Sequence, residues 1–233
     1  MLTRLKKPLG YINRWRHRKG FGIHSPFAFH LVTSVLGESM PYYAYSRLAS
    51  FVAAGRTHSH IYTRTYSCKN LFMLFRLVNF RQPRFIVEAG DGPLLCTLAM
   101  SMAKPSAACV AIGSMKRPAG RVTSLFLENP NNRVFTGNEL KWLHHWLNEG
   151  NPLELFHVTS STHYRELVEA ALPYAGAHTL FVIENIHASR EKSLWWQQLV
   201  ESEATGVTFD LGRVGLLFFD KEAYCKLHYQ LIF

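Results

Sequence analysis

Acidic residues are missing from the first 37 positions of this 233-residue chain, and Glu38 is the first. Arg4, Lys6, Lys7, Arg14, Arg16, Arg18 and Lys19 all precede it, so seven of the ten charges behind the net +10 lie in the first 19 residues. The rest of the chain is nearly balanced. This excludes a uniformly basic protein and describes a near-neutral globular body with a basic N-terminal segment. Cysteine is scarce. Cys68, Cys96, Cys109 and Cys225 include no CxxC pair, and a chain of this size needs no disulfide staples. No apolar run approaches the roughly 18 residues of a membrane-spanning helix. The basic N-terminus has no apolar core of its own, so a signal peptide is not expected. The expected setting is reducing and cytoplasmic. There is no repeat and no low-complexity tract, and 48% hydrophobic against 18% charged residues excludes disorder. The twelve histidines form no evident metal set. His144 and His145 are adjacent and face different ways on a helix, and His58 and His60 have no acidic or cysteine partner nearby.

What is present is a change of pattern at residue 84. Before it the chain reads as helical. Leu2, Leu5, Leu9 and Ile12 recur at helical spacing among basic residues. Ser25-Pro26 reads as an N-cap with Pro at N1, in a helix that Gly37 closes. Pro41 opens a second helix that Gly55 ends. Ser67 caps a third, apolar over more than one face through Leu71, Phe72, Leu74, Phe75, Leu77, Val78 and Phe80, which predicts burial.

From 84 onward short apolar runs alternate with amphipathic helices. Strands are predicted over 84–89, 108–112, 133–136, 153–158 and 178–184. Helices are predicted over 93–103, 118–128, from Asn138 to Gly150, over 163–172 after a Thr162 cap, and over 190–203 after Ser189. Three further strands close the chain at 207–211, 214–219 and 226–232, with Gly212-Arg213 as a tight connection. Five βα units and a β-rich tail predict a Rossmann-like α/β fold with a mostly parallel sheet and an antiparallel C-terminal edge. The expected organisation is a helical basic extension, 1–83, and an α/β domain, 84–233.

In such sheets ligands bind beyond the carboxyl ends of the strands. The first of those loops, Glu88-Ala89-Gly90-Asp91-Gly92-Pro93, ends a strand on an acid and turns through two glycines into a helix. Glycines there allow a tight turn and close approach to a ligand. There is no GxxxxGK[ST] and no GxSxG, so neither a phosphate-binding P-loop nor a hydrolase elbow is supported.

The Glu-Ala-Gly-Asp-Gly stretch, in the first of several βα units before a β-rich tail, resembles motif I of class I S-adenosylmethionine-dependent methyltransferases. Gly22-Ile23-His24-Ser25-Pro26-Phe27, Pro41-Tyr42-Tyr43, Glu184-Asn185-Ile186-His187-Ala188-Ser189 and Asp210-Leu211-Gly212-Arg213-Val214-Gly215 are similar to segments of a bacterial group of O-methyltransferase-like proteins with an N-terminal helical extension. The resemblance implies S-adenosyl-L-methionine as cofactor and a small-molecule acceptor. It implies that Glu88, Gly90, Asp91 and Gly92 hold the methionine part of the cofactor. Gly113 and Ser114 fall at the ribose position, and Asn138 near the adenine. Glu184, Asn185 and His187 line the acceptor side; in cation-dependent relatives the acidic–Asn pair helps bind a divalent metal.

Several positions depart from that pattern. Leu94, after Pro93, takes the place of the third glycine. Gly113 stands where an acid grips the ribose. The loop Thr159-Ser160-Ser161-Thr162-His163 lacks the aspartate used for metal and substrate, and neutral hydroxyls are poor ligands for a hard dication. A divalent metal is therefore not expected, and catalysis is expected to be reduced or lost. Two functions follow: an O-directed methyltransferase, or a non-catalytic binding module of the same fold whose residues 1–19 contact RNA or an anionic membrane.

Bland readings stand beside the functional ones. Glu88 caps a helix or pairs with a base. Gly90 and Gly92 serve a turn that needs glycine with or without a ligand. His187 is a loop histidine satisfied by backbone, and His24 belongs to the helix start. Trp142, Trp146, Trp195 and Trp196 pack on the core, and residues 1–19 form an amphipathic helix docked on the domain.

Overall fold

The computed structural model describes residue 17 and residues 19–58, 67–92, 94–113 and 120–233. In chain order the helices are α1 (Pro26–His30), α2 (Tyr45–His58), α3 (Cys68–Arg81), α4 (Leu95–Ala103), α5 (Arg121–Leu127), α6 (Glu139–Asn148), α7 (Tyr164–Ala171) and α8 (Arg190–Glu201). The strands are β1 (Phe85–Ala89), β2 (Ala108–Gly113), β3 (Asn132–Thr136), β4 (Leu155–Val158), β5 (Leu180–Glu184), β6 (Val207–Asp210), β7 (Val214–Phe218) and β8 (Leu227–Gln230). The contacts divide the chain into two units, residues 39–174 and residues 1–38 with 175–233.

In the 39–174 unit the strands follow the order β3-β2-β1-β4, all parallel. Strands β1, β2 and β4 are almost wholly buried. That is why each reads as a continuous apolar run rather than an alternating one: helices cover both faces. At the sheet margin β3 is mostly half-buried or exposed, with only its first residue, Asn132, buried. Its one buried polar side chain is satisfied internally, the Asn132 amide donating to Phe126 O at 2.7 Å and to Ser101 Oγ at 2.9 Å. Helix α3 is largely buried as its apolar faces predict, at Leu71 and from Met73 through Val78, with Phe72 and Phe80 half-buried. The Ser67 hydroxyl caps it by accepting the Asn70 N–H, and Gln82 ends it in the left-handed region at φ 51°. Helix α2 starts at Tyr45 rather than at Pro41 and runs through Gly55 to His58. A single glycine costs a helix only about 1 kcal/mol relative to alanine, too little to stop it.

In the other unit β7 is antiparallel to both β5 and β6, while β8 pairs parallel with β6. The antiparallel character of the tail thus resides in β7. The β6–β7 turn forms at Leu211-Gly212-Arg213, as the Gly-Arg pair predicts. Gly212 adopts φ 86° and donates to Asp210 Oδ1 at 2.8 Å, and Leu211 N–H bonds Val214 O. Gly215 on β7 has a physical reason of its own: a Cβ there would lie 2.4 Å from Trp196 Cη2 of α8. Helix α1 is capped by Ser25, whose hydroxyl accepts the Ala28 N–H, with Pro26 at the first position. It continues as a π-helical segment, Leu31–Leu36, closed by Gly37 N–H on Val32 O at 2.9 Å. Phe27 stacks on Tyr224 at 4.4 Å and meets Phe218 edge-on at 5.0 Å, which anchors α1 to the C-terminal strands. Across both units four of the six described strand pairings are parallel, the mostly parallel α/β fold the pattern predicts.

Candidate functional site

Within the 39–174 unit the loops after β1, β2, β3 and β4 are laced together by their backbones. Gly90 N–H bonds Ile112 O at 2.9 Å, Asp91 N–H bonds Ser160 O at 2.7 Å, Thr159 N–H bonds Ala89 O at 2.9 Å, and Gly137 N–H bonds Gly113 O at 3.1 Å. Two glycines make this possible. Gly90 sits at φ 129°, and a Cβ on it would lie 2.3 Å from Thr159 Oγ1; a Cβ on Gly113 would lie 2.3 Å from Gly90 O. Both positions exclude any side chain because the chain itself passes there. Leu94, buried at the head of α4, takes the Leu98 N–H on its carbonyl at 2.7 Å.

Glu88 is 2% exposed, and its carboxylate meets a partner the sequence reading missed. His157 of β4 is its register neighbour, with Nδ1 2.9 Å from Glu88 Oε2. A histidine inside the apolar run Leu155-Phe156-His157-Val158 is the signal that was available, because a polar side chain in a buried strand needs a partner. Cys109 lies close to the same carboxylate. Burial pushes its thiol up to about 12; a Ser101 hydrogen bond opposes this and the Glu88 charge adds to it. Asp91 points to solvent and Gly92 is half-buried. The Asn138 side chain caps α6, its Oδ1 accepting Lys141 N–H at 2.9 Å. The next residue, Glu139, also went unnoticed in the sequence. It is 7% exposed and accepts the Ser161 hydroxyl at 2.5 Å. Burial raises its carboxyl above the usual range, the Ser161 bond opposes that, and the nearby Asp91 charge adds to it. Thr162 does not cap helix α7: the helix starts after His163 without a side-chain cap, and Ser161 Oγ accepts the His163 N–H at 3.0 Å in the turn before it. Ser114 lies outside the described residues, as do 1–16 and 18 of the basic segment.

In the other unit β5 delivers Glu184, Asn185 and His187 to one loop. Glu184 is 4% exposed. Asn185 adopts φ 55° and accepts Arg213 Nη2 on Oδ1 at 3.1 Å. His187 is satisfied by side chains and not by backbone: Nε2 lies 2.9 Å from Asp210 Oδ2, and Nδ1 lies 3.1 Å from Ser193 Oγ. Asp210 is buried at the end of β6 and also takes the Gly212 N–H, so the ring is held by a fixed carboxylate. Asp210 opens one of the segments that carry the resemblance but was given no role there, and Ser193 did not stand out in the sequence. Lys192, only 6% exposed, reaches back from α8 to donate to Glu184 O at 2.9 Å. Burial pushes its ammonium below the usual lysine range, and the Glu184 charge opposes that shift.

A divalent metal does not fit this donor set. The Asn185 oxygen already binds a guanidinium, and a buried ammonium sits on the Glu184 carbonyl. Among the described residues no three His, Cys, Asp or Glu side chains gather into a metal-sized group. A cavity of about 430 Å³ lies elsewhere, under α6 between Trp142, Trp146, Arg133 and the first residues of β1 and β2, away from the carboxyl-end loops. Trp142 is half-buried, stacked on Phe135 at 4.6 Å with its N–H on Thr136 O, while Trp146, Trp195 and Trp196 are buried as core packing predicts.

The element order, the parallel β3-β2-β1-β4 arrangement with a glycine loop after β1, and the antiparallel β7 define an open-sheet α/β protein. More particularly, the chain has the fold of class I S-adenosylmethionine-dependent methyltransferases. It superimposes on the SAH-bound methyltransferase PaMTH1 of Podospora anserina with a TM-score of 0.62 at 14% identity, covering 85% of this chain and 97% of that one. For the O-methyltransferase TomG of Streptomyces achromogenes, solved with SAM, the values are 0.57, 17%, 80% and 93%. For the Bacillus cereus O-methyltransferase, solved with SAH, they are 0.56, 17%, 81% and 96%. No protein-family model matches the chain, and no curated protein sequence does. Among the described residues no helix is long and apolar enough to cross a membrane.

Proposed function

We propose that this chain is an S-adenosyl-L-methionine-dependent methyltransferase that methylates an oxygen of a small molecule in the cytoplasm. The observation that carries the reading is the shared fold, extending over at least 80% of the chain, with enzymes solved with SAM or SAH. Glu88, Gly90, Asp91, Gly92, Gly113, Ser114 and Asn138 are assigned to the cofactor, and Glu184, Asn185 and His187 to the acceptor. The cofactor supplies an electrophilic methyl group on a sulfonium. When bound by those residues, it would offer that carbon to the acceptor oxygen in line with the sulfur, which would depart as a neutral thioether. The chain's part is to align the reactants and to take up the acceptor's proton. His187 suits that role, because the Asp210 carboxylate accepts from Nε2, so the nitrogen that accepts a proton is Nδ1, which meets Ser193 Oγ at 3.1 Å. Calorimetry with SAM and with SAH tests the reading. Micromolar binding is expected, and an absence of heat and of thermal shift with both ligands would overturn it.

A specific observation favours a second reading. The N–H groups of Gly90 and Asp91 are bound to Ile112 and Ser160, and Gly113 supplies no carboxylate to a ribose. A non-catalytic binding module of this fold fits those facts, with residues 1–19 contacting RNA or an anionic membrane. It requires salt-sensitive binding that disappears when 1–19 are deleted. Binding that ignores salt or survives the deletion would eliminate it.

A further inference from the structure

The end of β5 and the loop after it carry a carboxylate, Glu184, and an amide oxygen, Asn185, in succession, hard donors of the kind that suit a divalent cation. Cations of this chain stand at both residues: the Lys192 ammonium bonds the Glu184 backbone carbonyl within reach of that carboxylate's charge, and the Arg213 guanidinium bonds Asn185 Oδ1. Lys192 takes part in the capped first turn of α8, its N–H on Ser189 Oγ at 3.0 Å, and its side chain folds back along the loop to Glu184 O at 2.9 Å. It does this while 6% exposed, beside a carboxylate that is 4% exposed. A buried carboxylate is costly unless a positive charge compensates it, and a buried ammonium is costly for the same reason. Arg213, in the β6–β7 turn, donates Nη2 to Asn185 Oδ1 at 3.1 Å while its own carbonyl accepts Ile186 N–H at 3.2 Å. The loop is thus clamped on one side by an ammonium and on the other by a guanidinium. The two arise from different elements, α8 and the β6–β7 turn.

We infer that Lys192 and Arg213 are resident organic cations that take the place of a divalent metal at Glu184–Asn185, so that acceptor chemistry in this chain runs without metal. The inference rests on the reading of that loop as the acceptor side. Lys192 acts as a positioning residue: it neutralises Glu184 and holds the loop carbonyl. Arg213 orients Asn185, whose left-handed backbone makes it dependent on outside support.

Manganese binding, followed by the loss of free Mn²⁺ signal in electron paramagnetic resonance, tests this on the full chain without any methyl transfer. The wild-type protein is expected to bind no Mn²⁺ up to about 1 mM, the weak end for oxygen-ligand sites. Lys192→Gln is expected to bind at least about tenfold more tightly, because it frees the carboxylate and removes the repelling charge. Adding Glu184→Gln to that variant should abolish the gain, and Lys192→Arg should not produce it. A merely structural lysine would lower stability without creating a metal site. If Lys192→Gln does not fold, Arg213→Gln, at an exposed position, is measured with the wild type, and a gain of Mn²⁺ affinity is again expected. Wild-type binding in the micromolar range that is lost in Glu184→Gln would overturn the inference, as would folded Lys192→Gln and Arg213→Gln proteins that gain nothing. Loss of SAM binding would fell the methyltransferase reading and leave these outcomes untouched.

Discussion

The Nε2 of His187 lies 2.9 Å from Oδ2 of Asp210, joining the loop after β5 to the end of β6. The carboxylate is 2% exposed at its side chain and the imidazole 37% exposed. One partner is therefore a rigid interior anchor and the other is open to a reacting molecule. Because a carboxylate only accepts, Nε2 carries a proton, and the remaining nitrogen faces Ser193 Oγ. That hydroxyl also bonds Ser189 O at 2.9 Å, so its single proton is shared between a helix carbonyl and the ring.

If His187 is the base, His187→Ala is expected to lower kcat for methyl transfer by about 10²–10⁴-fold, the usual worth of a positioned base. Cofactor affinity should stay within about twofold, because the substitution removes a proton acceptor and no binding group. Asp210→Asn should lower kcat in the same direction by misorienting the ring. The check is SAH release on a panel of hydroxylated small molecules, alongside SAM calorimetry.

Gly90→Ala should cost about 2–4 kcal/mol, since it places a side chain at a left-handed φ and within overlap of Thr159. Gly113→Ala meets the Gly90 carbonyl, which cannot swing aside as a side-chain tip could, and should cost a similar amount. Urea unfolding midpoints at constant slope would report both. A neutral result at Gly90 would mean that the loops after β1 and β4 do not pack as described.

Removing one partner of the buried Glu88–His157 pair should destabilise the chain by about 3–5 kcal/mol, because the other is left uncompensated in the interior. The double replacement Glu88→Leu with His157→Leu should cost less than the sum of the singles. A double-mutant cycle in denaturant measures the difference.

Cys109 should be chemically silent. With its thiol pushed up to about 12, almost no thiolate exists at pH 8, whereas the exposed Cys225 should react first with iodoacetamide. The same shift sets a pH dependence. Between about 9 and 12 the unfolded chain gives up the thiol proton while the folded chain keeps it, so stability should fall as pH rises through that window. Cys109→Ala should flatten that part of the curve, as read from thermal midpoints between pH 8 and 11. An unchanged slope would argue against the assignment.

Gly215→Ala forces a methyl group to within 2.4 Å of the Trp196 indole, which is 1% exposed and has no room to retreat. A loss of about 1–3 kcal/mol is expected. Trp196→Phe, which shortens the ring at that point, should recover part of it in the double variant. Thermal unfolding of the single and double variants would show this.

Elements from α3 onward were legible because each buried strand is a short apolar run bounded by turn residues, and because Ser67, Asn138 and Ser189 are caps whose chemistry is local. Boundaries failed where local signals were weak or misleading. Gly55 reads as a stop and lies inside α2, and Thr162 reads as a cap while α7 starts after His163 with no side-chain cap. The candidate residues were legible as loop positions, but their partners were not. His157 stands 69 residues from Glu88, and Asp210 stands 23 from His187. No periodicity links such pairs; sheet register and strand order bring them together.

The order of strands and helices, their caps and the glycine turn after β1 follow from local chemistry, because backbone preferences and hydrophobic periodicity act over a few residues. What each polar group does depends on what folding sets beside it. Glu88, a cofactor ligand in the sequence pattern, is held by a buried histidine. The metal-like pair Glu184–Asn185 is attended by Lys192 and Arg213. His187 owes its orientation to Asp210. Charge compensation in a low-dielectric interior acts between neighbours in space, and those neighbours exist only once the strands have found their register.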